Sequence, residues 1–165
     1  MPTKPVVKKD DVHVIINDWE SKFIGEATCY NSSGIVIWRI PSVCKGIEGP
    51  RWGVRNGDTP PGLYRAGILV LTQDNEPLSI WNSYGKYCID MLEEEGQEKR
   101  FGRAGICWHG GGSGAPDPLA DYQQLLPTFG CVRSHNVDFQ DKIVPLYNAL
   151  QRISAKMWIT VNQYA

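Results

Sequence analysis

One stretch of this chain, and only one, repeats apolar residues at helical spacing. Phe139, Ile143, Leu146, Tyr147, Leu150 and Ile153 form a stripe between Asn136 and about Ser154. Asn136 or Asp138 is placed to cap its start. Pro145 interrupts the stripe and predicts a kink or a split. The other apolar segments are short. Val12–Ile16, Lys22–Tyr30, Ile35–Ile40, Gly62–Leu71, Lys86–Asp90 and Lys156–Gln163 read as strands. A further strand is expected around Leu78–Trp81, and a buried one over Ala104–Trp108. Asn31-Ser32-Ser33-Gly34 reads as a hairpin turn, after which Val36, Trp38 and Ile40 share one face. Residues 41–61 are dense in Pro and Gly and predict a long loop. Strands do not alternate regularly with helices. The pattern predicts a mainly β fold: a β-sandwich or open-barrel-like core of mixed sheets, with one long packed helix near the C-terminus.

At 165 residues the chain is sized for one domain with a real core. We place it at 11–165, behind a flexible lead-in at 1–10 that holds two prolines and three lysines. The net charge of −1 offers no basic stripe for phosphates, which argues against nucleic acid. No apolar run approaches the ~20 residues of a membrane span. The first residues have positive charge but no apolar core behind it, so no secretory signal is expected. The run Glu93–Arg100 reads as a solvated turn. A short helix is plausible within Pro116–Leu126.

Two segments carry chemistry. Gly105-Ile106-Cys107-Trp108-His109 ends an apolar run on a histidine, followed by Gly110 and three more glycines up to Gly114. Thr128 follows His109 by 19 positions and opens Thr128-Phe129-Gly130-Cys131-Val132-Arg133. An acylating enzyme needs such a pair. Only a thiolate attacks a carbonyl well, and an imidazole can take the thiol's proton. Gly130 lets the backbone approach closely, so the N–H groups of Gly130 and Cys131 could face a developing oxyanion. The glycine stretch lacks the Lys-Ser/Thr ending of a phosphate loop, which excludes nucleotide binding there.

Other readings stay open from the residues alone. Five cysteines is an odd count and leaves at least one thiol free. Cys29, Cys88 and Cys107 read as small buried residues, and Cys44 could form a disulfide. Arg133 could bind a substrate carboxylate or hold an acidic side chain of the fold. His135 is a second base, a zinc ligand or a polar helix-start residue. Thr128 could bond backbone or substrate. Trp52, or Arg55, lines a substrate channel or anchors a surface loop. Asp121 could orient His109. A zinc-supported binding module built on His109, Cys131 and His135, with Cys107 as a further ligand, is a rival, although the paired Cys knuckles usual in structural sites are absent.

The arrangement His109-Gly110, a spacer, then Thr128-Phe129-Gly130-Cys131-Val132-Arg133 resembles the L,D-transpeptidase catalytic domain, the YkuD-like family. Thr59-Pro60-Pro61-Gly62-Leu63-Tyr64 and Arg133–Asp138 extend the resemblance over roughly residues 22–161. Many members carry a histidine where Phe129 stands. The resemblance implies a cysteine acyltransferase without cofactor or metal. Its partners would be peptidoglycan stem peptides, with action at the cell wall or periplasm and a monomer favoured. Cys131 would be the nucleophile and His109 the base, oriented by the Gly110 carbonyl. A wall-binding module that keeps the fold without the chemistry is the alternative.

Overall fold

The structure, a computed structural model, describes residues 2–165; Met1 of the expected lead-in lies outside them. Eight strands form one mixed sheet. They are β1 (Val12–Trp19), β2 (Gly25–Tyr30), β3 (Val36–Ser42), β4 (Gly62–Leu71), β5 (Tyr87–Glu93), β6 (Cys107–His109), β7 (Val132–Arg133) and β8 (Met157–Tyr164). The order is β3-β2-β1-β8-β4-β5-β6-β7. Only β1/β8 and β6/β7 pair in parallel. Just past β3, Val43 and Arg133 exchange reciprocal backbone hydrogen bonds of 2.8 and 2.9 Å. That bridge joins the two ends of the sheet and nearly closes a barrel.

Period-two alternation explains which side of the wall each residue takes. Along β1, Val12, Val14 and Ile16 point inward and are buried, while His13, Ile15 and Asn17 point out. Ile89 and Met91 of β5, Trp108 of β6 and Val132 of β7 complete the interior. Trp38 enters this core, its ring 6.3 Å from Trp108. The hairpin at residues 31–34 forms as expected, with the Asn31 side chain accepting the Ser33 and Ile35 N–H groups.

Helices are few. The segment expected as a strand near Leu78 is helix α1 (Leu78–Tyr84). Pro77 precedes it and Gly85, at φ 69°, stops it, a proline start and glycine stop that outweigh the local alternation. The Glu93–Arg100 run is more than a solvated turn: α2 (Gln97–Arg100) buries Gln97 fully. Gln97 Nε2 donates to the Leu63 carbonyl at 2.8 Å. The C-terminal helix covers 136–152 in three parts: α3 (Asn136–Asp138), a π turn (Phe139–Ile143) and α4 (Val144–Arg152). Pro145 has no N–H and its ring would crowd the carbonyl four residues back. The wide π turn just before it absorbs that misfit, so the helix changes pitch without breaking. Phe139 and Ile143 pack into the core, Phe139 edge-on to Trp108 at 5.7 Å.

Two expected elements differ. Strand β6 begins only at Cys107, because Gly105 takes φ 68° and leaves the strand region. Residues 116–126 form turns rather than a helix. Their carbonyls are taken by side chains: Asn136 Nδ2 donates to Pro118 and Ala120 at 2.8 and 2.7 Å.

Because Phe139 joins the helix to the barrel interior, Phe139→Ala should cost about 3–5 kcal/mol. Urea unfolding measures this. A loss below about 1 kcal/mol would show that the helix does not share the barrel's core.

Candidate active site

Strand β6 places His109 on the outer side of the wall, opposite Trp108. The histidine is nonetheless only 3 % exposed. The Tyr84 ring meets it edge-on at 4.8 Å. Its Nδ1 lies 2.8 Å from the Gly110 carbonyl. A carbonyl only accepts, so Nδ1 carries the proton and Nε2 is left as the acceptor. Below it, Trp108 is held by its own indole N–H, which donates to Ser134 Oγ at 2.9 Å.

The Gly110 carbonyl has a second donor: Arg133 Nε at 3.2 Å. The rest of that guanidinium is engaged as well. Nη1 donates to the Leu126 and Pro127 carbonyls at 2.8 and 2.9 Å, and Nη2 to the Ser83 carbonyl at 3.3 Å. Burial pushes its pKa down to about 10, against a smaller pull from Cys131, which leaves it charged at neutral pH. Arg133 therefore ties the end of α1 to the stretch from Gly110 to Pro127, with backbone carbonyls on every donor nitrogen. The acidic scaffold partner considered from sequence is not among its contacts.

The Gly130 turn is held from both sides. Thr128 Oγ1 accepts the Gly130 N–H at 2.9 Å and donates to the Cys131 carbonyl at 2.7 Å. Thr59 Oγ1 donates to the Gly130 carbonyl at 2.9 Å. At φ 110° Gly130 is in a region closed to side chains, and a Cβ there would lie 1.6 Å from Arg103 Nη2. Arg103 is a residue that sequence reasoning missed. It is buried and donates to the carbonyls of Trp52, Asp58, Gly57 and Phe129. Its only sequence signal is an arginine between two glycines, without an acid beside it. Gly110 is equally constrained, since a Cβ would meet Asn136 Oδ1 at 2.2 Å. Asn136 and Gln123, also missed, hold the glycine stretch: Asn136 Oδ1 accepts the Gly111 N–H, and Gln123 Nε2 donates to the Gly111 carbonyl.

The expected pair of oxyanion donors is narrowed by this geometry. The Gly130 N–H is taken by Thr128, which leaves the Cys131 N–H as the candidate.

Cys131 is half-buried. Its sulfur accepts the Cys107 N–H at 3.3 Å and its thiol donates to the Gly105 carbonyl at 3.8 Å, with His109 near enough to draw its pKa down. The neighbouring Cys107 thiol and burial push the Cys131 thiol up to about 12, against the pull of His109. The thiol is therefore protonated at neutral pH until a base removes its proton. Cys88 and Cys107 are not core residues. With Ile89 and Trp108 turned inward, both stand half-buried on the outer wall near Cys131. Cys29 and Cys44 are buried, and all five cysteines are free.

The remaining candidates lie elsewhere. His135 stacks edge-on with Tyr122 at 5.4 Å, and its Nδ1 is 3.7 Å from Asp138. Burial holds its pKa down, while Asp138 pulls it up. Trp52 meets Phe101 edge-on at 5.7 Å and lines a groove with Pro61, Phe101 and Tyr164. Arg55 and Asp121 are exposed. Phe129, at the position where the resembling family often has histidine, is also exposed. Among the described residues, no group of three or more His, Cys, Asp or Glu side chains could hold a metal ion. No helix is long and apolar enough to cross a membrane.

The fold is shared with solved structures. The helical cell shape determining protein Pgp2 from Campylobacter jejuni aligns with 96 % of this chain and 50 % of its own, at 18 % identity and a TM-score of 0.55. A mutant of the same protein gives 17 % identity and a TM-score of 0.55, covering 96 % of this chain and 49 % of its own. Bd1075 from Bdellovibrio bacteriovorus aligns with 92 % of this chain and 47 % of its own, at 16 % identity and a TM-score of 0.53. This chain thus spans about half the length of each. No family model and no curated protein matches it.

Two outcomes follow from the site. Arg133→Lys loses the fork and leaves carbonyls without a donor, at about 1–3 kcal/mol for each one left buried and bare. The melting temperature should fall clearly, and an unchanged value would contradict the role of Arg133 as a tie between loops. Cys107→Ala removes the contact that most raises the Cys131 thiol. The pH profile of Cys131 alkylation by iodoacetamide should then shift to lower pH. A profile identical to wild type would remove Cys107 as the cause.

Proposed function

We propose that this chain is a cysteine acyltransferase of the L,D-transpeptidase type, acting on the tetrapeptide stems of peptidoglycan. The observation that carries the reading is the orientation of His109. With Nδ1–H held by the Gly110 carbonyl, the free Nε2 is the natural acceptor for the Cys131 proton. A general base must have both the contact and the correct tautomer.

The steps follow from this pair. As the stem peptide enters, Nε2 takes the thiol proton. The sulfur then attacks the carbonyl that precedes the terminal D-alanine. The oxyanion forms beside the Cys131 N–H. His109 returns the proton to the leaving amine, D-alanine departs, and a thioester remains on Cys131. An amine of a neighbouring stem or a water molecule then attacks the thioester. The first outcome is a crosslink or an exchanged D-amino acid; the second trims the stem. The sequence resemblance supports the reading, as does a fold shared with a protein named for determining cell shape. Both favour action at the cell wall.

Incubation with purified tetrapeptide muropeptides, followed by mass spectrometry, tests the reading. Released D-alanine and an acyl adduct on Cys131 are expected. Cys131→Ala should abolish turnover, and His109→Ala should slow it by ~10²-fold or more. An absence of both adduct and turnover in the folded wild type would contradict the proposal. Turnover that survives His109→Ala but not His135→Ala would overturn the choice of base.

A further inference from the structure

Three thiols gather on the outer wall of the barrel: Cys88 on β5, Cys107 on β6 and Cys131 immediately before β7. Trp108 and Val132 are register partners in the parallel β6/β7 pair. One step back along each strand stand Cys107 and Cys131. The Cys107 N–H reaches the Cys131 sulfur at 3.3 Å, and both thiols approach the Gly105 carbonyl, at 3.5 and 3.8 Å. Neighbouring strands run about 4.8 Å apart. That spacing lies within the roughly 4.4–6.8 Å between Cα atoms that a disulfide spans.

Cys88 is placed differently. Its register partner across the antiparallel β5/β6 pair is His109, whereas Cys107 pairs with Asp90. Cys88 and Cys107 are therefore diagonal neighbours, typically about 7–8 Å apart, beyond comfortable disulfide reach. Cys88 also stands close enough to act on the Cys107 thiol, and it is the in-register placement of the two backbones that favours Cys131 as the partner.

We propose that Cys131 and Cys107 are an oxidation site, closing a reversible disulfide when a peroxide reaches the Cys131 sulfur. In the first step that sulfur attacks one oxygen of hydrogen peroxide and the O–O bond breaks. The departing hydroxide takes up the thiol proton as water, and Cys131 becomes a sulfenic acid. In the second step the Cys107 sulfur attacks the Cys131 sulfur. The S–O bond breaks, and the hydroxide leaves as water with the Cys107 proton. Two thiols lose two electrons in all, and one peroxide is reduced to two waters. A dithiol reductant reverses the closure by thiol–disulfide exchange. Capture by Cys107 also halts Cys131 short of the sulfinic acid, which ordinary thiols cannot reduce. That closure would mask a nucleophile rests on the proposed function; the disulfide itself does not.

The full chain is treated with hydrogen peroxide, quenched with iodoacetamide under denaturing conditions, digested without reductant and mapped by mass spectrometry. A crosslinked peptide pair joining Cys107 to Cys131 is expected, lost on treatment with dithiothreitol, with Cys29, Cys44 and Cys88 alkylated. Cys107→Ser keeps the backbone N–H but removes the resolving sulfur. In this variant, peroxide should carry Cys131 to the sulfinic acid, which dithiothreitol does not reverse. Alkylated Cys107 beside an overoxidised Cys131 in the wild type would overturn the proposal, as would a crosslink from Cys107 to Cys88. If the Cys107–Cys131 crosslink forms in a protein that turns over no stem peptide, the oxidation site stands and the proposed function fails.

Discussion

The structure depends on Arg133 twice. Its backbone completes the Val43 bridge that joins β3 to β7, and its side chain binds four carbonyls from two separate stretches, around Ser83 and over Gly110–Pro127. A buried guanidinium without a carboxylate partner is costly unless every donor is satisfied. Here all four bonds fall on backbone carbonyls, and those to Leu126 and Pro127 serve a stretch without regular structure. Hydrogen bonds to a charged group are worth about 1.5–3 kcal/mol each, so together they outweigh any single apolar contact in the region. The charge and the loops each satisfy the other's need.

The chemistry inherits that arrangement. One of the four carbonyls is that of Gly110, which also receives Nδ1 of His109. The side chain that fixes the loop thus fixes the acceptor that sets the imidazole's tautomer. Arg103 does the same on the opposite flank, tying the 52–58 loop to the carbonyl of Phe129 beside the Gly130 turn. Thr128 and Thr59 hold that turn from within. The two halves are therefore carried by different loops, yet each is pinned to the same rigid wall. None of these contacts involves a carboxylate.

Much of this was legible in the sequence, for physical reasons. The alternation in β1, β3 and β8 states which face is buried, and the helical stripe at 139–150 states which face of the helix meets it. Cys131 and His109 stood out because one sits in a glycine turn and the other ends a strand, where the proposed chemistry would place them. What escaped the sequence was backbone hydrogen bonding. The helix at Leu78 was hidden because Leu78-Ser79-Ile80-Trp81 fits both periods over so short a span, although Pro77 and Gly85 bracketed it. The helix expected at 116–126 failed because Asn136 and Arg133, distant in sequence, capture its carbonyls. Arg103 and Gln123 gave little signal because their partners are main-chain atoms, which no residue identity reveals. Cys88 and Cys107 were read as core for want of the register that turns them outward beside Cys131.

The central claim is that the Gly110 carbonyl holds the proton of His109 on Nδ1 and leaves Nε2 free to accept one. Nitrogen-15 NMR of the imidazole side chains, with long-range couplings from the ring protons, reads the tautomer directly. In the neutral, substrate-free protein the account predicts a protonated Nδ1 and a bare Nε2 for His109. A bare Nδ1 with the proton on Nε2 would contradict it, because Nε2 could then no longer accept a proton.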